Sequence, residues 1–328
     1  MNIKKSLSLM IISALLLSAC SARTKTAGNT ISASPFFAFA VTGSDEVKAT
    51  STNNESYNYG QTNVAAWDDI VSVSAGYYHT VGLKNDGTVI STGITNKSGD
   101  TGQTAVWEWK DITEVSAGYY HTVGLKKDGT VISTKPSSPE YDFGQTNVEN
   151  WTDIVAISAG YYHTVGVKKD GTVISTNVNK RDKSHGQDNV SEWTDIVKVS
   201  AGTNYTAGLK KDGTVISTVL RNNALDYGQT YVGEWTDITA IAASYYNTLG
   251  LKSDGTVVST RIVDEKRDYG QSNVSEWSDI NQIAASPYAA FGLKNDGTVI
   301  CTPIVNKEDT SITEISNWSG IKTLAKDK

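Results

Sequence analysis

One motif recurs along most of the chain at a constant spacing. The string VGLKNDGTV, which runs from Val81 to Val89, returns with small changes in steps of 42 residues, around Gly124, Gly166, Gly208, Gly250 and Gly292. A second marker, a tryptophan followed two residues later by Asp-Ile, repeats at the same spacing from Trp67 to Trp277. Repeats of this length are typical of solenoids and propellers, because each unit buries its apolar surface only against a neighbouring unit.

Residues near both ends of the chain bring the number of units to seven. Phe39–Thr50 aligns without gaps with Phe291–Thr302, and Trp318 supplies a seventh tryptophan marker, 41 residues after the sixth. The repeats therefore start in the middle of a unit near Ala33 and stop in the middle of another near Ala325. Because an open solenoid needs a capping unit at each end, this phase shift favours a closed ring.

Each unit predicts at least three short strands. In the second unit they are Ile70–Ala75, His79–Lys84 and Thr88–Thr92, with a hairpin turn at Asn85–Gly87. The adjacent apolar residues Val89 and Ile90 point to opposite faces, so both faces of the sheet are expected to be buried. The variable stretch from Gly93 to Trp109 allows either a short fourth strand or a loop.

Three or four strands per repeat with radial closure predict an all-β fold, a seven-bladed β-propeller built from 42-residue repeats. The ring is expected to close by pairing of the N- and C-terminal strands. Trp318–Ala325 would then form the inner strand of a blade whose next two strands lie within Phe37–Thr50.

The composition argues against two classes of protein. Of the 328 residues, 38% are hydrophobic and the formal net charge is −6, which does not fit intrinsic disorder. Nucleic acid is also an unfavourable partner, because proteins that bind it present a basic surface.

The first residues resemble a bacterial lipoprotein signal peptide. A basic start at Lys4 and Lys5 precedes an apolar run of 11 residues, Leu7–Leu17, which is too short to span a membrane. Small residues then precede Cys20, and the resemblance implies that Cys20 becomes the acylated N-terminus of the mature chain. The alternative is ordinary signal cleavage near Ala19, with Cys20 incidental.

This interpretation divides the chain into a signal peptide (1–19), a lipid-anchored polar linker (20–32) and the propeller (33–328). It predicts an exported protein, anchored by palmitate or similar acyl chains to the bacterial cell membrane and facing outside the cytoplasm. The lipid would be the only membrane contact of a monomer that needs no cofactor. No disulfide is expected, since Cys301 would have no partner.

The repeat resembles the regulator of chromosome condensation repeat. That repeat combines a small-residue strand, an aromatic or glycine turn, His-Thr, an apolar strand, Asp-Gly and a distal Gly-Gln. In the second unit these elements fall at Ser74–Leu83, Asp86-Gly87 and Gly102-Gln103. The resemblance covers residues 33–326 and implies seven blades. The short, regular repeat is most similar to bacterial secreted members such as the β-lactamase-inhibitory propellers.

Two departures from the family pattern stand out. Ser91-Thr92 replaces the usual aromatic-glycine pair, and Ser311-Ile312 replaces the last Gly-Gln. The scaffold carries exchange factors, inhibitors and other binding proteins, so the resemblance implies the fold and leaves the activity open. Exchange on a nuclear GTPase does not fit an exported lipoprotein.

Three histidines, His79, His121 and His163, share one repeat position. Zinc needs ligands that converge within about 2.1 Å of one point, whereas neighbouring blades are expected to lie about 10 Å apart. We therefore expect these histidines to form structural hydrogen bonds and to bind no metal. His185 falls at a variable position and is expected to face solvent.

No motif predicts catalysis. Aspartates before glycine, such as Asp86, are expected to hydrogen-bond the local backbone. A catalytic pair of carboxylates would have to break the repeat, and no such break is evident. We therefore predict that the protein is not an enzyme. A carbohydrate- or antibiotic-modifying propeller enzyme and a structural surface spacer remain as alternatives.

Tyrosines mark one end of the predicted disc. The turns between first and second strands carry nine of the chain's 16 tyrosines: Tyr77, Tyr78, Tyr119, Tyr120, Tyr161, Tyr162, Tyr245, Tyr246 and Tyr288. Five variable segments emerge at the same end: 93–100, 135–140, 177–184, 219–224 and 261–266. Tyrosine is enriched at protein-binding hot spots, and the inhibitory propellers that this repeat resembles contact their target through aromatic loops here.

The tyrosines therefore predict a face that binds an unknown protein partner. The alternative is that one tyrosine of each pair, the second, packs under its blade. At the opposite end of the disc, a ring of lysines from Lys84 to Lys294 lies beside the turn aspartates, so a solvated charged rim is expected there rather than a lipid-facing surface.

Overall fold

Seven antiparallel sheets of three strands each make up the protein in the computed structural model, which describes residues 28–51, 55–96, 99–305 and 311–324. The predicted signal peptide, the lipidation site Cys20 and Ala325 lie outside these residues. Each repeat contributes three strands, so the variable stretch forms a loop rather than a fourth strand wherever it is described. Within these residues we find no helix with the length and apolar character needed to cross a membrane.

The strands follow one another in chain order within each sheet, or blade. Their bounds, blade by blade, are β1 Ile31–Ala33, β2 Ala38–Val41, β3 Val47–Ala49; β4 Ile70–Ala75, β5 Thr80–Lys84, β6 Val89–Ser91; β7 Ile112–Ala117, β8 Thr122–Lys126, β9 Val131–Ser133; β10 Ile154–Ala159, β11 Thr164–Lys168, β12 Val173–Ser175; β13 Ile196–Ala201, β14 Thr206–Lys210, β15 Val215–Ser217; β16 Ile238–Ala243, β17 Thr248–Lys252, β18 Val257–Ser259; and β19 Ile280–Ala285, β20 Ala290–Lys294, β21 Val299–Cys301. Short 3-10 helices occupy Glu55–Tyr57, Pro139–Tyr141, Arg181–Lys183, Asn223–Leu225, Glu265–Arg267 and Ser311–Asn317.

The first strand of every blade lies on the inside of a ring. Each of these inner strands contacts the inner strand of the next blade, and β19 of the last blade contacts β1 of the first. The core is correspondingly divided among the interfaces between blades. In one such cluster, Val81 and Leu83 of the second blade pack against Trp109, Ile112 and Val115 of the third. Both faces of a sheet are thus buried, as the adjacent apolar residues predict.

The repeated glycine of the middle strand is required by packing within a blade. A Cβ atom on Gly82 would lie 2.9 Å from the ring of Trp67 and 3.0 Å from the Cδ1 atom of Ile70. The tryptophan marker and the central glycine of the repeat are therefore two halves of one contact. This explains why both recur with the same spacing.

The ring is closed by segments from both chain ends. Ile321 bridges to Thr42, the Lys322 N–H donates to the Val41 carbonyl, and Gly43 N–H donates to the Gly320 carbonyl. A shared cluster that includes Ile31, Ala38, Phe291, Ile315 and Ile321 buries apolar surface between the first and last blades. The predicted pairing of the terminal segments is therefore present.

The inner strand at this junction differs from the prediction. Trp318–Ala325 does not form it alone, because β1 at Ile31–Ala33 pairs with β2 as the inner strand. The C-terminal segment supplies only the part that precedes the β-bulge found in the other six blades. The blade also begins before the predicted boundary at residue 33, since Thr30 and Ile31 are buried. The repeat alignment mispredicted this inner strand because the two terminal segments meet at the position of the bulge.

Candidate functional site

The two ends of the disc differ in their chemistry. We call the end formed by turns between first and second strands, with the nine tyrosines and Phe36, the aromatic face. We call the end formed by the Asp-Gly hairpins, such as Asp86-Gly87, the turn face. Because the strands of a blade are antiparallel, these two sets of turns lie at opposite ends of every sheet.

The turn face is held by local hydrogen bonds, as predicted for its aspartates. The Asp86 carboxylate accepts from both the N–H and the hydroxyl of Thr88, at 2.9 and 2.7 Å, and these bonds lower the pKa of Asp86. Lys84 forms an ion pair with Asp68 at 2.7 Å. These contacts engage the turn aspartates and Lys84 within the fold.

The tyrosines of the aromatic face pack against one another. None is fully exposed: Tyr246 is buried and the other eight are half-buried. At the first position of each pair, Tyr77 and Tyr119 lie 4.1 Å apart between ring centroids, and Tyr119 and Tyr161 lie 3.7 Å apart. Three consecutive blades thus contribute one ring each to a stacked arc.

The second tyrosine of a turn contacts aromatic residues of the loops. Tyr59 meets Tyr78 at 4.7 Å, Phe143 meets Tyr162 at 4.7 Å, and Tyr269 meets Tyr288 at 5.0 Å. These loop aromatics stand immediately before the repeated Gly-Gln and did not figure in the sequence prediction. Their 42-residue spacing, which Tyr227 shares, is the signal that would have identified them.

The glutamine of that Gly-Gln is a structural clamp. The Gln145 side chain accepts from the Phe143 N–H at 2.7 Å and donates to the Tyr141 carbonyl at 2.7 Å. Equivalent bonds recur in the other blades, for example at Gln229. The clamp fixes each loop so that its aromatic residue faces the tyrosine pair.

The aromatic face surrounds a central cavity of about 290 Å³. Its floor consists of small residues at the ends of the inner strands, such as Ala75-Gly76 and Ala117-Gly118, and its rim includes Tyr77, Tyr119, Tyr161, Thr203 and Tyr245. None of the lining side chains is charged. The cavity is open at the aromatic face, with a polar backbone floor and a phenolic rim.

The phenols of the rim stay protonated at neutral pH. Burial raises the pKa of Tyr77 to about 12, and it also raises the pKa of Tyr119 and Tyr161. The Tyr78 and Tyr119 hydroxyls lie 3.3 Å apart and share a hydrogen bond. The rim therefore offers neutral hydroxyl groups that both donate and accept.

The three repeated histidines tie neighbouring blades together. The Nε2 atoms of His79, His121 and His163 lie 2.7, 2.8 and 2.9 Å from threonine hydroxyls of the next blade. Thr122, the partner of His79, donates its own proton to the Gln103 carbonyl, so His79 is the donor in the shared bond. Desolvation lowers the pKa of the three imidazoles to about 3, 3 and 4.

The fifth blade keeps this bridge with a different residue. Tyr205 stands at the histidine position, is fully buried, and places its hydroxyl 2.7 Å from Thr248 of the next blade. The position is therefore used for bonding between blades. His185 lies elsewhere, half-buried in a loop. Throughout the described ranges, no three His, Cys, Asp or Glu side chains are grouped so that they could hold a metal ion.

The repeat does break at two charged residues, contrary to the sequence reading. Glu114 and Lys198 occupy an inner-strand position that holds Ser72 or alanine in neighbouring blades. The Glu114 carboxylate accepts from the Ile157 N–H at 3.3 Å, and burial raises the pKa of Glu114 to about 7. Both residues reach toward the next inner strand, since Lys198 donates to the Thr239 carbonyl. Their contacts indicate a bridging role between blades.

Comparison with known proteins identifies the repeat. Residues 70–100, 112–134 and 154–176 match the regulator of chromosome condensation repeat. No curated protein sequence matches the chain significantly.

Solved structures resemble most of the chain in fold. The CRINKLY ectodomain of the Arabidopsis thaliana receptor kinase ACR4 is 16% identical with a TM-score of 0.62, over 84% of this chain and 94% of that one. The ectodomain of the Physcomitrella patens receptor kinase CR4 is 16% identical with a TM-score of 0.63, over 83% and 73%. Prp20p of Saccharomyces cerevisiae is 16% identical with a TM-score of 0.52, over 71% of both chains. The protein is therefore an all-β propeller of seven blades, three of whose repeats match the regulator of chromosome condensation repeat.

Proposed function

We propose that the protein is a binding module that captures a protein partner through the aromatic face. The observation that carries this proposal is the open cavity at the centre of that face, rimmed by uncharged phenols from several blades. Tyrosine combines a large apolar surface with a hydroxyl, which suits it to protein interfaces. On the turn face, by contrast, the aspartates before glycine are engaged in local hydrogen bonds.

The packing of the tyrosines supports this use of the face. A hot spot works best when its side chains are held in place before the partner arrives, since less conformational entropy is then lost on binding. The stacked arc and the glutamine-clamped loops provide such preorganisation. The repeated use of phenols also spreads the surface over several blades, as a protein partner requires and a small substrate does not.

Fold relatives give limited support of the same kind. Prp20p is a protein described with binding properties toward Gsp1p and histones, so a propeller of this shape does serve as a protein-binding scaffold. At 16% identity, this similarity shows a shared fold.

Site-specific photocrosslinking tests the proposal. A benzophenone side chain introduced at Asn179, an exposed residue on a loop of the aromatic face, should give covalent adducts with a partner in the native cells. The same group at Lys127, exposed on the turn face, is the matched control and should give none. Adducts from Lys127 alone, or equal adducts from both positions, would contradict the assignment of the face.

We also propose that the protein is an exported lipoprotein anchored through Cys20. The support is the sequence Leu17-Ser18-Ala19-Cys20 behind a short apolar run. Cys20→Ser should abolish labelling by a palmitate analogue and partition into the detergent phase. A Ser variant that is still labelled and membrane-bound would overturn the anchor without affecting the proposal for the aromatic face.

A further inference from the structure

The stacked arc of the aromatic face is interrupted in one blade. Tyr77, Tyr119 and Tyr161 each contribute a ring, but the fifth blade carries Thr203 at the same position, and Tyr245 follows in the sixth. Among the described residues, no ring contact joins Tyr161 to Tyr245. Neighbouring rings of the arc lie about 4 Å apart, one from each blade. Because Thr203 has no ring, it leaves a space of about the size of one ring in the arc.

The space belongs to the central cavity. Tyr161, Thr203 and Tyr245 all line it, with Gly202 and Ser244 below. Between ring centroids, Tyr161 lies 3.7 Å from Tyr119, 5.6 Å from Tyr120 and 4.3 Å from Tyr162, and none of these contacts comes from the side of the fifth blade. A tyrosine ring that lacks a stacking partner from the next blade can bind another flat ring, which gains both burial and stacking.

The interruption at Thr203 differs from the other positions that lack tyrosine. Pro35 and Pro287 fill the two remaining places of the cavity rim with rings of their own. Phe36, next to Pro35, lies edge-on to Tyr77 at 5.8 Å and so closes that end of the arc. The fifth blade is therefore the place where the rim is open.

The loops beside the opening are basic. Segments 177–184 and 219–224 carry Lys180, Arg181, Lys183 and Arg221 against a single acid, Asp182. Lys183 lies 5.7 Å from the ring of Tyr162, the neighbour of Tyr161, and forms an exposed ion pair with Asp182 at 3.2 Å. The net charge of these two loop segments is positive, so a partner segment with carboxylates would be attracted here.

We propose that the opening at Thr203 receives one aromatic side chain from an acidic loop of the protein partner. The ring stacks on Tyr161 and completes the arc toward Tyr245, while carboxylates beside it on the partner pair with Lys183 and Arg221. This proposal rests on the proposed function of the aromatic face and names the chemistry that the face recognises.

Filling the opening from within the protein tests the proposal. Thr203→Tyr supplies the tyrosine ring that four other blades carry, so it should fold with an unchanged or higher Tm. Thr203→Val keeps the size of threonine and is the matched control. The probes are two labelled peptides, Glu-Asp-Trp-Asp-Glu and its Trp→Ala counterpart, with binding to the full chain followed by fluorescence anisotropy.

The natural protein and Thr203→Val should bind the tryptophan peptide about tenfold more tightly than the alanine peptide, the preference expected from one stacked ring. Thr203→Tyr should lose that preference. Equal binding of both peptides by the natural protein, or an undiminished preference in Thr203→Tyr, would overturn the proposal. If photocrosslinking at Asn179 still succeeds in that case, the aromatic face stands as the binding surface and only the opening at Thr203 is rejected.

Discussion

The turn face and the aromatic face arise from the same repeat and use it in opposite ways. On the turn face, six of the seven copies repeat one set of local contacts, in which an aspartate such as Asp86 accepts a hydrogen bond from the threonine two residues later. On the aromatic face, the copies differ: Thr203, Pro287 and the loops interrupt the pattern. The repeat is regular where the fold dictates the residue, and it varies on the face that we propose binds a partner.

The first test measures the stability of the protein at acid pH. The histidine bridges and the aspartates of the turn face should lose their contributions to stability in different pH ranges. The pKa values of His79, His121 and His163 are lowered from 6.5, so the folded state binds fewer protons than the unfolded state below pH 6.5. Their contribution to stability is present above pH 6.5 and is lost as the pH falls toward 4 and 3. Together they should remove several kcal/mol by about pH 4.

The turn aspartates act in a lower window. Hydrogen bonds to threonine lower the pKa of Asp86 and its equivalents from 3.8, so their contribution is present above pH 3.8 and is lost only as the pH falls further. Urea unfolding between pH 7 and 3 measures both windows. His163→Tyr, which follows the natural example of Tyr205, should remove about one third of the histidine contribution above pH 4, while Glu114, whose pKa is raised to about 7, acts in the opposite direction in both proteins. A stability that stays constant from pH 6.5 to 4 would contradict the histidine bridges.

The second test compares one glycine on each face. A Cβ on Gly76 would lie 2.5 Å from Cε1 of His79 and 2.6 Å from the Gly118 carbonyl, both held by packing. Gly76→Ala should therefore lower the free energy of unfolding by about 3 kcal/mol.

Gly87 of the turn face is constrained by its backbone instead. Its φ of +84° is strained for alanine, while the nearest atom to a Cβ is 3.3 Å away. Gly87→Ala should cost about 1 kcal/mol. Denaturant midpoints of both variants give the comparison. A larger loss at Gly87 would mean that the crowding at the floor of the cavity is relieved by movement.

The third test compares single side chains. Tyr119→Ala removes a ring that stacks on both Tyr77 and Tyr161, so we expect a loss of about 2 kcal/mol in stability together with loss of partner capture. Lys126→Ala on the turn face should change stability by no more than about 0.5 kcal/mol and leave capture intact. Thermal unfolding and crosslinking yield provide the two readouts. Equal effects of the two substitutions would remove the distinction between the faces.

The sequence was sufficient for the architecture because the repeat is strict where the blades pack. The spacing of Trp67 and Gly82 reflects one contact that recurs in six blades, and Ala40 with Trp318 marks the seventh. It did not reveal how the inner strand at the junction is shared, since β1 and the segment at Ile321 meet at a bulge that has no sequence marker.

The candidate site was predicted in place but not in detail. The tyrosine pairs could be located from their turns, whereas their half-buried state depends on loop aromatics such as Phe143, which come from a distant part of the repeat. Burial of only the second tyrosine was one alternative, and the structure shows both members packed. The charges of Glu114 and Lys198 escaped notice because a single residue that breaks a repeat is visible only once the inner strands are aligned.

Hydrogen exchange of the protein with and without its crosslinked partner tests the central claim most directly. Binding of the partner at the aromatic face should slow exchange in the complex at the turns 76–79, 118–121 and 160–163. The hairpins 85–88, 127–130 and 169–172 of the turn face should be unchanged. Protection confined to those hairpins, with the tyrosine turns unaffected, would contradict it.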